Sequence, residues 1–328
     1  MSSSPRIALI LGVSGQDGAY LAELLLQRGY EVHGTSRDAQ VNSFQNLRRL
    51  GILDRVKLHS VTLTDFRSVL QTLTRVQPQE VYNLAGQSSV GLSFAQPVET
   101  LDSIAHGTLN LLETIRFTEQ PIRFYNACSS ECFGETGHAP ADEQTPFRPR
   151  SPYAVAKAAA FWEVANYRES YHLYACSGIL SNHESPLRPQ RFVTQKIVQA
   201  ACRIAAGKQQ GLTLGNLQIS RDWGWAPEYA LAMHLMLQQE YPEDYVVATG
   251  QSYTLADFVS AAFQEVGLDW REKVTIDAEL LRPSDISESR LNPGKAARIL
   301  GWKAEVMMPE IVRRMVAAVQ LEMQETAR

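Results

Sequence analysis

Residues 151–157 carry the residue types and spacing of an acid–base pair. Tyr153 and Lys157 stand four positions apart, so a helix would place both side chains on one face, one turn apart. An ammonium group close to a phenol favours the phenolate and lowers the pKa of the phenol. Such a pair could take a proton from a hydroxyl group near neutral pH. Tyr-x-x-x-Lys alone is a common pattern, so its meaning depends on the elements around it.

A hydroxyl and a carboxylate follow a predicted strand at 123–127. Ser129 and Glu131 stand two positions apart at its end. The carboxyl ends of strands in open α/β sheets carry catalytic groups, and these two side chains suit hydrogen bonding to a sugar and proton transfer. A strand end with a helix-capping serine is the alternative. It would be the better interpretation if Tyr153 and Lys157 were absent.

Three glycines, Gly12, Gly15 and Gly18, lie directly after the first apolar run. The spacing G-x-x-G-x-x-G permits a tight turn, close approach of a pyrophosphate, and close packing of a following helix whose N-terminal N–H groups face the phosphates. A glycine-rich turn without a ligand is the alternative. The position of the glycines at the first strand-to-helix turn favours a dinucleotide.

The end of the second predicted strand bears on the choice of cofactor. Arg37 stands there in place of an acid. An acid would bind a ribose 2′-hydroxyl, whereas a guanidinium suits the 2′-phosphate of NADP. The neighbouring Asp38 weakens the electrostatic argument, and a solvated surface charge is the alternative. The sequence therefore favours NADP.

Short apolar runs and helical patterns alternate through the first half of the chain. This alternation predicts an α/β fold, a doubly wound parallel sheet of the Rossmann type with a smaller mixed α/β C-terminal substrate domain. We place the NADP-binding domain at 1–182 and a mainly substrate-binding domain at 183–328, with about 218–252 returning to the first domain. Strands are predicted at 7–11, 31–36, 56–60, 81–84, 123–127 and 245–248, and helices at 20–28, 65–75, 108–117, 154–171, 192–206, 227–239, 254–266, 293–300 and 309–323.

Composition excludes several classes of protein. The 328 residues carry a net charge of −4, which argues against a dedicated nucleic-acid binder, and no apolar run approaches the length of a membrane span. Four cysteines in a chain this long do not form a disulfide framework. Cys128 and Cys132 lack further ligands at metal spacing, so packing is favoured over a metal site. We expect a cytoplasmic protein without metal, nucleic-acid or membrane partners.

Motifs along nearly the whole chain resemble those of the extended short-chain dehydrogenases/reductases, specifically the GDP-mannose 4,6-dehydratase family. Asn182-His-Glu-Ser-Pro186 and Arg221-Asp-Trp-Gly224, in this order, are highly specific. Further matching segments are Leu11 to Gly18, Asn83 to Ser88, Arg150 to Lys157, Phe192 to Thr194, Leu214 to Asn216, Arg282 with Pro283, and Leu300 to Trp302.

The resemblance implies a lyase that works by internal hydride transfer on NADP. Tyr153, with Lys157, would deprotonate the sugar 4-hydroxyl while C4 gives up hydride. Glu131 would then remove the C5 proton, and water would leave C6 with help from Glu131 and Ser129. The stored hydride would add to C6 and give a 4-keto-6-deoxy sugar. Because a simple hydroxyl dehydrogenase needs no base for C5, Glu131 is the residue that separates a dehydratase from a reductase.

The resemblance also implies binding residues and partners. It implies a GDP-sugar substrate and a homodimer or homotetramer. The cofactor set comprises Gly12, Ser14, Gly15, Gln16, Asp17, Gly18, Arg37, Leu63, Leu84, Ala85, Tyr153, Lys157, His183 and Arg188. The substrate set comprises Ser88, Asn182, Val193, Lys196, Leu214, Gly215, Arg221 and Arg282. For the two arginines a surface ion pair is the alternative.

The chain departs from the family pattern at several positions and leaves alternatives open. Ser129 replaces the usual Thr, Thr62 the usual Asp near the adenine, and Asp285 the usual Glu. The segment 187–190 keeps only Arg188 of an arginine-rich sequence that binds NADP and builds a tetramer in relatives. A GDP-4-keto-6-deoxy-mannose reductase, a dehydratase of a GDP-manno-heptose, and a non-catalytic protein that kept the cofactor fold are the alternative functions.

Overall fold

A seven-stranded parallel sheet forms the centre of the fold. The computed structural model describes residues 5–137, 139–280 and 283–325. The strands within them are β1 Ile7–Leu11, β2 Glu31–Ser36, β3 Val56–Ser60, β4 Glu80–Asn83, β5 Arg123–Ser129, β6 Ala175–Leu180, β7 Asn182–Glu184, β8 Leu212–Leu214, β9 Ser220–Trp225, β10 Tyr245–Val247, β11 Ser252–Thr254 and β12 Val274–Ile276. The central sheet has the order β10-β6-β5-β4-β1-β2-β3, with every neighbouring pair parallel. This is the Rossmann-type doubly wound sheet that the sequence predicts.

Helices cover both faces of this sheet. They are α1 Gln16–Gln27, α2 Gln45–Arg49, α3 Phe66–Val76, α4 Val90–Ala95, α5 Pro97–Leu101, α6 Gly107–Thr118, α7 Pro152–Tyr171, α8 Val193–Ala205, α9 Ala226–Met236, α10 Leu255–Gln264 and α11 Met308–Glu325. The helices α1, α2 and α9 share one buried apolar cluster with the sheet, and α3, α6 and α7 share another on the opposite face. Among the described residues, no helix combines the length and the apolar content that a membrane span would require.

A second apolar core lies outside the central sheet. It joins α8, α10 and α11 with the short strands β8 and β9, around the buried side chains of Trp223 and Phe258. Two small sheets accompany it, one with the order β11-β9-β7 and one that pairs β12 with β8. The chain also returns to the first body, which is the central sheet with its covering helices, because α9 packs on α1 and β10 pairs with β6. The proposed division at residue 182 stays a prediction.

Every predicted strand and helix has a counterpart in the structure, but β6, β7, β8, β9, β11 and β12 were not predicted. The bounds of β1, β2 and β3 are the predicted ones, while β4 begins at Glu80, one residue early. The predicted helix at 293–300 is confirmed to within one residue, and its last five residues, Ala296–Leu300, form a π-helix that ends at Gly301 with a positive φ. The sequence analysis missed β6, whose six residues are all buried.

Candidate active site

The glycine-rich turn brings backbone close to backbone at the carboxyl ends of β1 and β4. Gly12 has a φ of +84°, and a Cβ on it would lie 3.0 Å from the carbonyl oxygen of Leu84 and from the Cα of Ala85. A Cβ on Gly18 would lie 2.5 Å from the carbonyl oxygen of Gly12. Helix α1 starts after Gly15 with no side chain capping it. The turn thus presents uncapped N–H groups at a closely packed backbone, as pyrophosphate binding requires.

A buried polar network ties the start of α1 to β7. Gln16 donates through Nε2 to the carbonyl oxygen of His183 at 3.1 Å and accepts from the hydroxyl of Ser185 at 2.7 Å. Asp17 Oδ2 lies 2.9 Å from His183 Nε2. Burial opposes the charged form of Asp17, but His183 outweighs it and lowers the pKa of Asp17 to about 2. The predicted cofactor residues Gln16, Asp17 and His183 therefore meet in one hydrogen-bonded group.

The predicted catalytic residues come from β5 and α7. Strand β5 ends at Ser129, whose hydroxyl accepts from the backbone N–H of Glu131 at 3.3 Å. Glu131 lies in the 3-10 helix Ser130–Phe133 that follows. Helix α7 begins with Ser151 as its cap, which accepts from the N–H of Ala154 at 3.1 Å, so Tyr153 lies in the first turn. The sequence thus folds locally so that a strand end faces a helix start.

The structure does not show the expected effect of Lys157 on Tyr153. Burial raises the pKa of the Tyr153 phenol, and a hydrogen bond with Ser129 opposes this only in part. Lys157 Nζ donates to the carbonyl oxygen of Ala127 at 2.7 Å and lies 5.9 Å from the centroid of the Tyr153 ring. Burial also lowers the pKa of Lys157. The predicted lowering of the Tyr153 pKa is therefore wrong for this arrangement, because burial outweighs an ammonium that points elsewhere.

One cavity of about 420 Å³ collects most of the predicted site residues. All four predicted catalytic residues line it, namely Ser129, Glu131, Tyr153 and Lys157. The predicted cofactor residues Asp17, Leu84, His183 and Arg188 line it as well, as do the predicted substrate residues Ser88, Asn182, Val193, Lys196, Leu214, Gly215 and Arg221. The remaining predicted substrate residue, Arg282, lies outside the described residues.

The other predicted cofactor residues lie beyond the lining of this cavity. Gly12, Gly15 and Gly18 form the turn beside it, with Ser14, whose carbonyl oxygen accepts from Asn46 at 3.0 Å. Leu63 follows β3 and packs against Gly107. Arg37 follows β2 with its side chain 89% exposed and its Nη1 3.9 Å from Glu99.

Two arginines of the cavity, Arg188 and Arg221, form ion pairs with carboxylates. Arg188 Nε lies 3.2 Å from Glu184 Oε2, and its guanidinium stacks 3.7 Å from the centroid of the Phe192 ring. Arg221 Nη2 donates to Asp285 Oδ1 at 3.0 Å. Because Arg221 is 4% exposed, it is not the surface ion pair that the sequence left as an alternative.

Several cavity residues escaped the sequence analysis. Arg191 donates to the hydroxyl of Ser88 at 3.3 Å across the cavity, and Glu184 accepts from Thr194 at 2.7 Å. The conspicuous signal for Arg191 was its place three residues after Arg188, directly before the motif that begins at Phe192. Glu184 lies inside the motif at 182–186 but was given no role.

Two residues of the motif at 221–224, Asp222 and Trp223, stabilise the fold. Asp222 accepts hydrogen bonds from the Ser181 hydroxyl and from the backbone N–H groups of Thr249 and Gly250, at 2.8 to 3.0 Å. Trp223 is buried in the second core. Arg221 alone in this motif reaches toward Glu131. The motif therefore combines residues that stabilise the fold with residues of the site, because Trp223 lines the cavity together with Arg221.

The two cysteines beside the site have the surroundings of packing residues. Cys128 and Cys132 are free and buried, with their Sγ atoms 3.7 Å apart. Burial raises the pKa of the Cys132 thiol. Within residues 5–137, 139–280 and 283–325, no group of three or more His, Cys, Asp and Glu side chains is placed to hold a metal ion.

Comparison with known proteins gives consistent matches along the chain. A family model described as GDP-mannose 4,6 dehydratase matches residues 9–315. GDP-mannose 4,6 dehydratase 1 of Arabidopsis thaliana is 48% identical over 321 residues, which cover 95% of this chain and 89% of that protein. GDP-mannose 4,6-dehydratase of Vibrio cholerae is 42% identical over 350 residues, which cover 95% and 93%.

Among solved structures, UDP-glucose 4-epimerase of Thermus thermophilus in complex with NAD superposes with a TM-score of 0.84 at 27% identity. It covers 96% of this chain and 99% of that one. The fold also matches dTDP-glucose 4,6-dehydratase of Bacillus anthracis in complex with NAD, with a TM-score of 0.83 at 18% identity and coverage of 97% and 98%.

Proposed function

This chain belongs to the GDP-mannose 4,6-dehydratase family and is a nucleotide-sugar 4,6-dehydratase, and we propose that it works with NADP through the residues of the cavity described above. The observation that carries the assignment of roles is the meeting of Ser129, Glu131, Tyr153 and Lys157 in one cavity. A base for the C5 proton is what a dehydratase needs beyond a reductase, and Glu131 supplies a carboxylate there.

The turn after β1 fits a dinucleotide. Gly12 and Gly18 leave no room for a Cβ, and the start of α1 offers uncapped N–H groups to a pyrophosphate. Gly15, Gln16 and Asp17 would complete this part of the site, and Arg37 at the end of β2 would pair with a 2′-phosphate. The epimerase at 27% identity, solved with NAD, supports a nicotinamide cofactor. A nicotinamide held there would supply a hydride acceptor for sugar C4 and a hydride donor for C6.

The side chains of the cavity handle the protons. Tyr153, beside Ser129, would accept the proton of the 4-hydroxyl as a phenolate. Burial favours its neutral form, and the Lys157 ammonium together with the positive charge of a bound oxidised nicotinamide would favour the phenolate. The new 4-ketone acidifies the C5 proton, which Glu131 accepts. Glu131 then gives that proton to the 6-hydroxyl, which leaves as water, and when hydride adds to C6 the proton held by Tyr153 passes to C5. General acid and base groups of this kind contribute roughly 10²–10⁴-fold each to a rate.

The cavity residues of the C-terminal half would bind the nucleotide sugar. We assign Ser88 and Asn182 to the hexose side, and Val193, Lys196, Leu214 and Gly215 to the nucleotide side. The side chain of Lys196 is exposed and donates to the carbonyl oxygen of Thr213 at 2.8 Å, so its ammonium keeps further donors for a phosphate or a base.

The assembly we propose is a homodimer at least, because α5 and α7 present apolar side chains to solvent. The free cysteines suit a reducing compartment such as the cytoplasm.

The test of the function is incubation with GDP-mannose and NADP⁺, with NMR spectroscopy of the product and absorbance at the NADPH band. We expect a GDP-4-keto-6-deoxy sugar without net formation or loss of NADPH. Parallel reactions with NAD⁺ and with Arg37→Ala measure the cofactor preference, and we expect Arg37→Ala to weaken binding of NADP but not of NAD. Inertness toward GDP-mannose, with stoichiometric NADPH consumption on the 4-keto-6-deoxy sugar, would establish the reductase instead.

A further inference from the structure

Two thiols enclose the segment that carries two of the proposed catalytic residues. Cys128 is the last but one residue of β5, Cys132 lies in the 3-10 helix Ser130–Phe133, and their Sγ atoms are 3.7 Å apart. Both cysteines are free, and Ser129 and Glu131 lie between them in the chain. A bond between the two sulfur atoms would therefore close a short loop that contains the hydroxyl and the carboxylate of the site.

The two sulfur atoms are close enough to bond after a small local movement. A disulfide has an S–S distance of about 2.05 Å, so the sulfur atoms must approach by less than about 2 Å. The backbone of Cys128 is fixed opposite Ile179 in the pairing of β5 with β6. The carbonyl oxygen of Cys132 accepts from the N–H of Arg148 at 2.8 Å. The movement therefore falls on the two cysteine side chains and on residues 129–131 between them.

The same thiols contact the first turns of α7. Cys132 Sγ lies 3.5 Å from the carbonyl oxygen of Ala154, and Cys128 Sγ lies 3.9 Å from that of Lys157. A thiol is a weak hydrogen-bond donor, whereas a disulfide sulfur carries no hydrogen and cannot donate. Oxidation of the pair would therefore change the end of β5 and its contacts with the helix that carries Tyr153.

A small oxidant reaches the pair through the cavity. Cys128 is among the residues that line the cavity, although only 2% of its surface is exposed, and Cys132 is fully buried. Hydrogen peroxide is little larger than water, so a cavity of about 420 Å³ admits it. Burial and the neighbouring Cys128 raise the pKa of the Cys132 thiol, and the Lys157 ammonium opposes them. Cys128 is therefore the thiol that meets the oxidant first, and Cys132 is the thiol that reacts second.

We propose that Cys128 and Cys132 form a reversible disulfide when a peroxide enters the cavity, and that this bond stops the reaction by displacing residues 129–131. The formation of the bond stands on the geometry of the two thiols. The loss of activity rests on the roles proposed above for Ser129 and Glu131. Packing of the two side chains, which the sequence favours, describes their reduced state.

The oxidation consumes one hydrogen peroxide for each pair of thiols. The Cys128 sulfur attacks one peroxide oxygen, the O–O bond breaks, and the other oxygen leaves as water with the thiol proton, so that Cys128 becomes a sulfenic acid. The Cys132 sulfur then attacks the sulfenic sulfur, the S–O bond breaks, and the hydroxyl leaves as water with the second thiol proton. The two thiols lose two electrons and the peroxide is reduced to two water molecules. A dithiol reductant reverses the change by thiol–disulfide exchange.

The direct test is mass spectrometry of the folded protein after treatment with hydrogen peroxide. Catalase then removes the excess peroxide, and the protein is denatured, alkylated and digested with trypsin. The tryptic peptide 124–150 contains Cys128 and Cys132 and no other cysteine. We expect this peptide to be lighter by two hydrogen atoms and to resist alkylation. Treatment with dithiothreitol before alkylation should restore both thiols.

The kinetic counterpart is kcat before oxidation, after oxidation and after dithiothreitol, each compared with the same variant untreated. Oxidation should lower kcat of the wild-type protein by about 10²-fold, the size of effect that a displacement of about 1 Å produces, and dithiothreitol should restore it. Cys128→Ser should keep its own activity through the treatment, because it lacks the first thiol. Cys202→Ala is the matched control, since Cys202 is a free, buried cysteine of α8 in the second core. It should lose and regain activity as the wild-type protein does.

Thiols that stay reduced in the peptide 124–150 would overturn the inference, and so would a disulfide that leaves kcat unchanged. A loss of activity of equal size in Cys128→Ser would also overturn it, because another oxidation would then be responsible. If Cys128→Ser fails to fold, the peptide mass and the recovery with dithiothreitol in the wild-type protein still decide. A reduced wild-type protein that does not act on GDP-mannose would instead remove the proposed function, and the peptide mass would still decide whether the two thiols pair.

Discussion

At the scale of single residues, the site separates two kinds of proton chemistry. Tyr153 lies in the first turn of α7 and Glu131 in the 3-10 turn after β5, both in the wall of one cavity. The phenol serves the redox step at C4, and the carboxylate serves the elimination at C5 and C6. Two substitutions can therefore stop the reaction at different points.

Tyr153→Phe should suppress every step, because no 4-ketone forms without the phenolic base. Glu131→Gln should still permit the oxidation at C4, so NADPH absorbance should rise and persist while the 6-deoxy product falls by roughly 10²–10⁴-fold. Stopped-flow absorbance and NMR of the product measure the two quantities. Gln keeps the size of Glu, which makes packing damage an unsuitable explanation. Near-normal product from Glu131→Gln would remove the proposed role of Glu131 as base and acid in the elimination.

The ion pair between Asp17 and His183 predicts a pH-dependent contribution to stability. Asp17 has a lowered pKa of about 2, so its contribution is present above about pH 4 and is lost as the pH falls toward 2. Burial opposes the charged form of His183, but Asp17 outweighs it and raises the pKa of His183. The stability that protonated His183 contributes is therefore present below about pH 6.5 and is lost as the pH rises through the raised pKa of His183. The pair therefore stabilises the fold most between these limits.

Asp17→Asn should accordingly lower the free energy of unfolding by about 2 kcal/mol at pH 5 and by less at pH 8.5. Urea unfolding at the two pH values measures the difference. A loss of equal size at both would show that an uncharged hydrogen bond, and not the ion pair, joins α1 to β7.

At the scale of elements, the structure shows why a glycine ends the motif at 221–224. A Cβ on Gly224 would lie 2.2 Å from Cε2 of Tyr229 in α9. Tyr229 in turn stacks on His183 at 4.4 Å, and its hydroxyl lies 2.5 Å from that of Ser181. The close approach of β9 to α9 therefore positions Tyr229 against His183 and Ser181, which lie beside the cavity.

Gly224→Ala should cost about 1–3 kcal/mol in unfolding free energy, because Tyr229 must move. Thermal and urea unfolding measure the loss. Gly91→Ala is the control, since a Cβ there would meet no atom within 4 Å. Combination of Gly224→Ala with Tyr229→Leu should cost less than the sum of the two single changes. Strict additivity would contradict the proposed collision.

The same elements show what the sequence could predict. Strand β1 is an unbroken apolar run that ends at Gly12, so local pattern predicts its bounds, and the predicted bounds of β2 and β3 also agree with the structure. Strand β6 escaped because Ser177 and Gly178 interrupt its apolar run, although Gly178 is required by the side chain of Tyr125, whose hydroxyl would lie 2.5 Å from a Cβ. That contact joins β5 and β6 over fifty residues of sequence and leaves no local pattern.

In the site, too, local spacing could be predicted from the sequence, whereas contacts between distant segments could not. Tyr153 and Lys157 share a helical turn, so spacing alone predicts that they lie together. The pairing of Arg221 with Glu131 and Asp285 joins three distant segments, so only the packed fold reveals it.

At the scale of the whole molecule, the cavity lies where the two apolar cores meet. Side chains from the ends of β4 and β5 line one part of it, and side chains from α8 and β9 line another. The reaction must retain a sugar through three steps. A cavity lined by residues from both cores suits this, because the catalytic side chains align only when both cores are in place. The outer face of the first body, formed by α5 and α7, is available for contact with a second copy of the chain.

The apolar side chains on that outer face predict a dimer. Val98 and Leu101 on α5 and Val155 and Trp162 on α7 are exposed, with Trp162 at 62%. Val155 and Trp162 are seven residues apart, so they lie on one face of α7, and α5 packs beside it. Burial of the exposed part of Trp162 would contribute about 3 kcal/mol per copy.

Sedimentation at micromolar concentration should therefore show at least a dimer of the wild-type chain, and Trp162→Glu should shift it toward monomer. Tyr241→Glu is the matched control, because Tyr241 is 69% exposed and follows α9, on the other face of the sheet. Tyr241→Glu should leave the assembly unchanged. Dissociation by both variants would point to added charge and not to this face, and a wild-type protein that sediments only as a monomer would show that α5 and α7 stay exposed in solution.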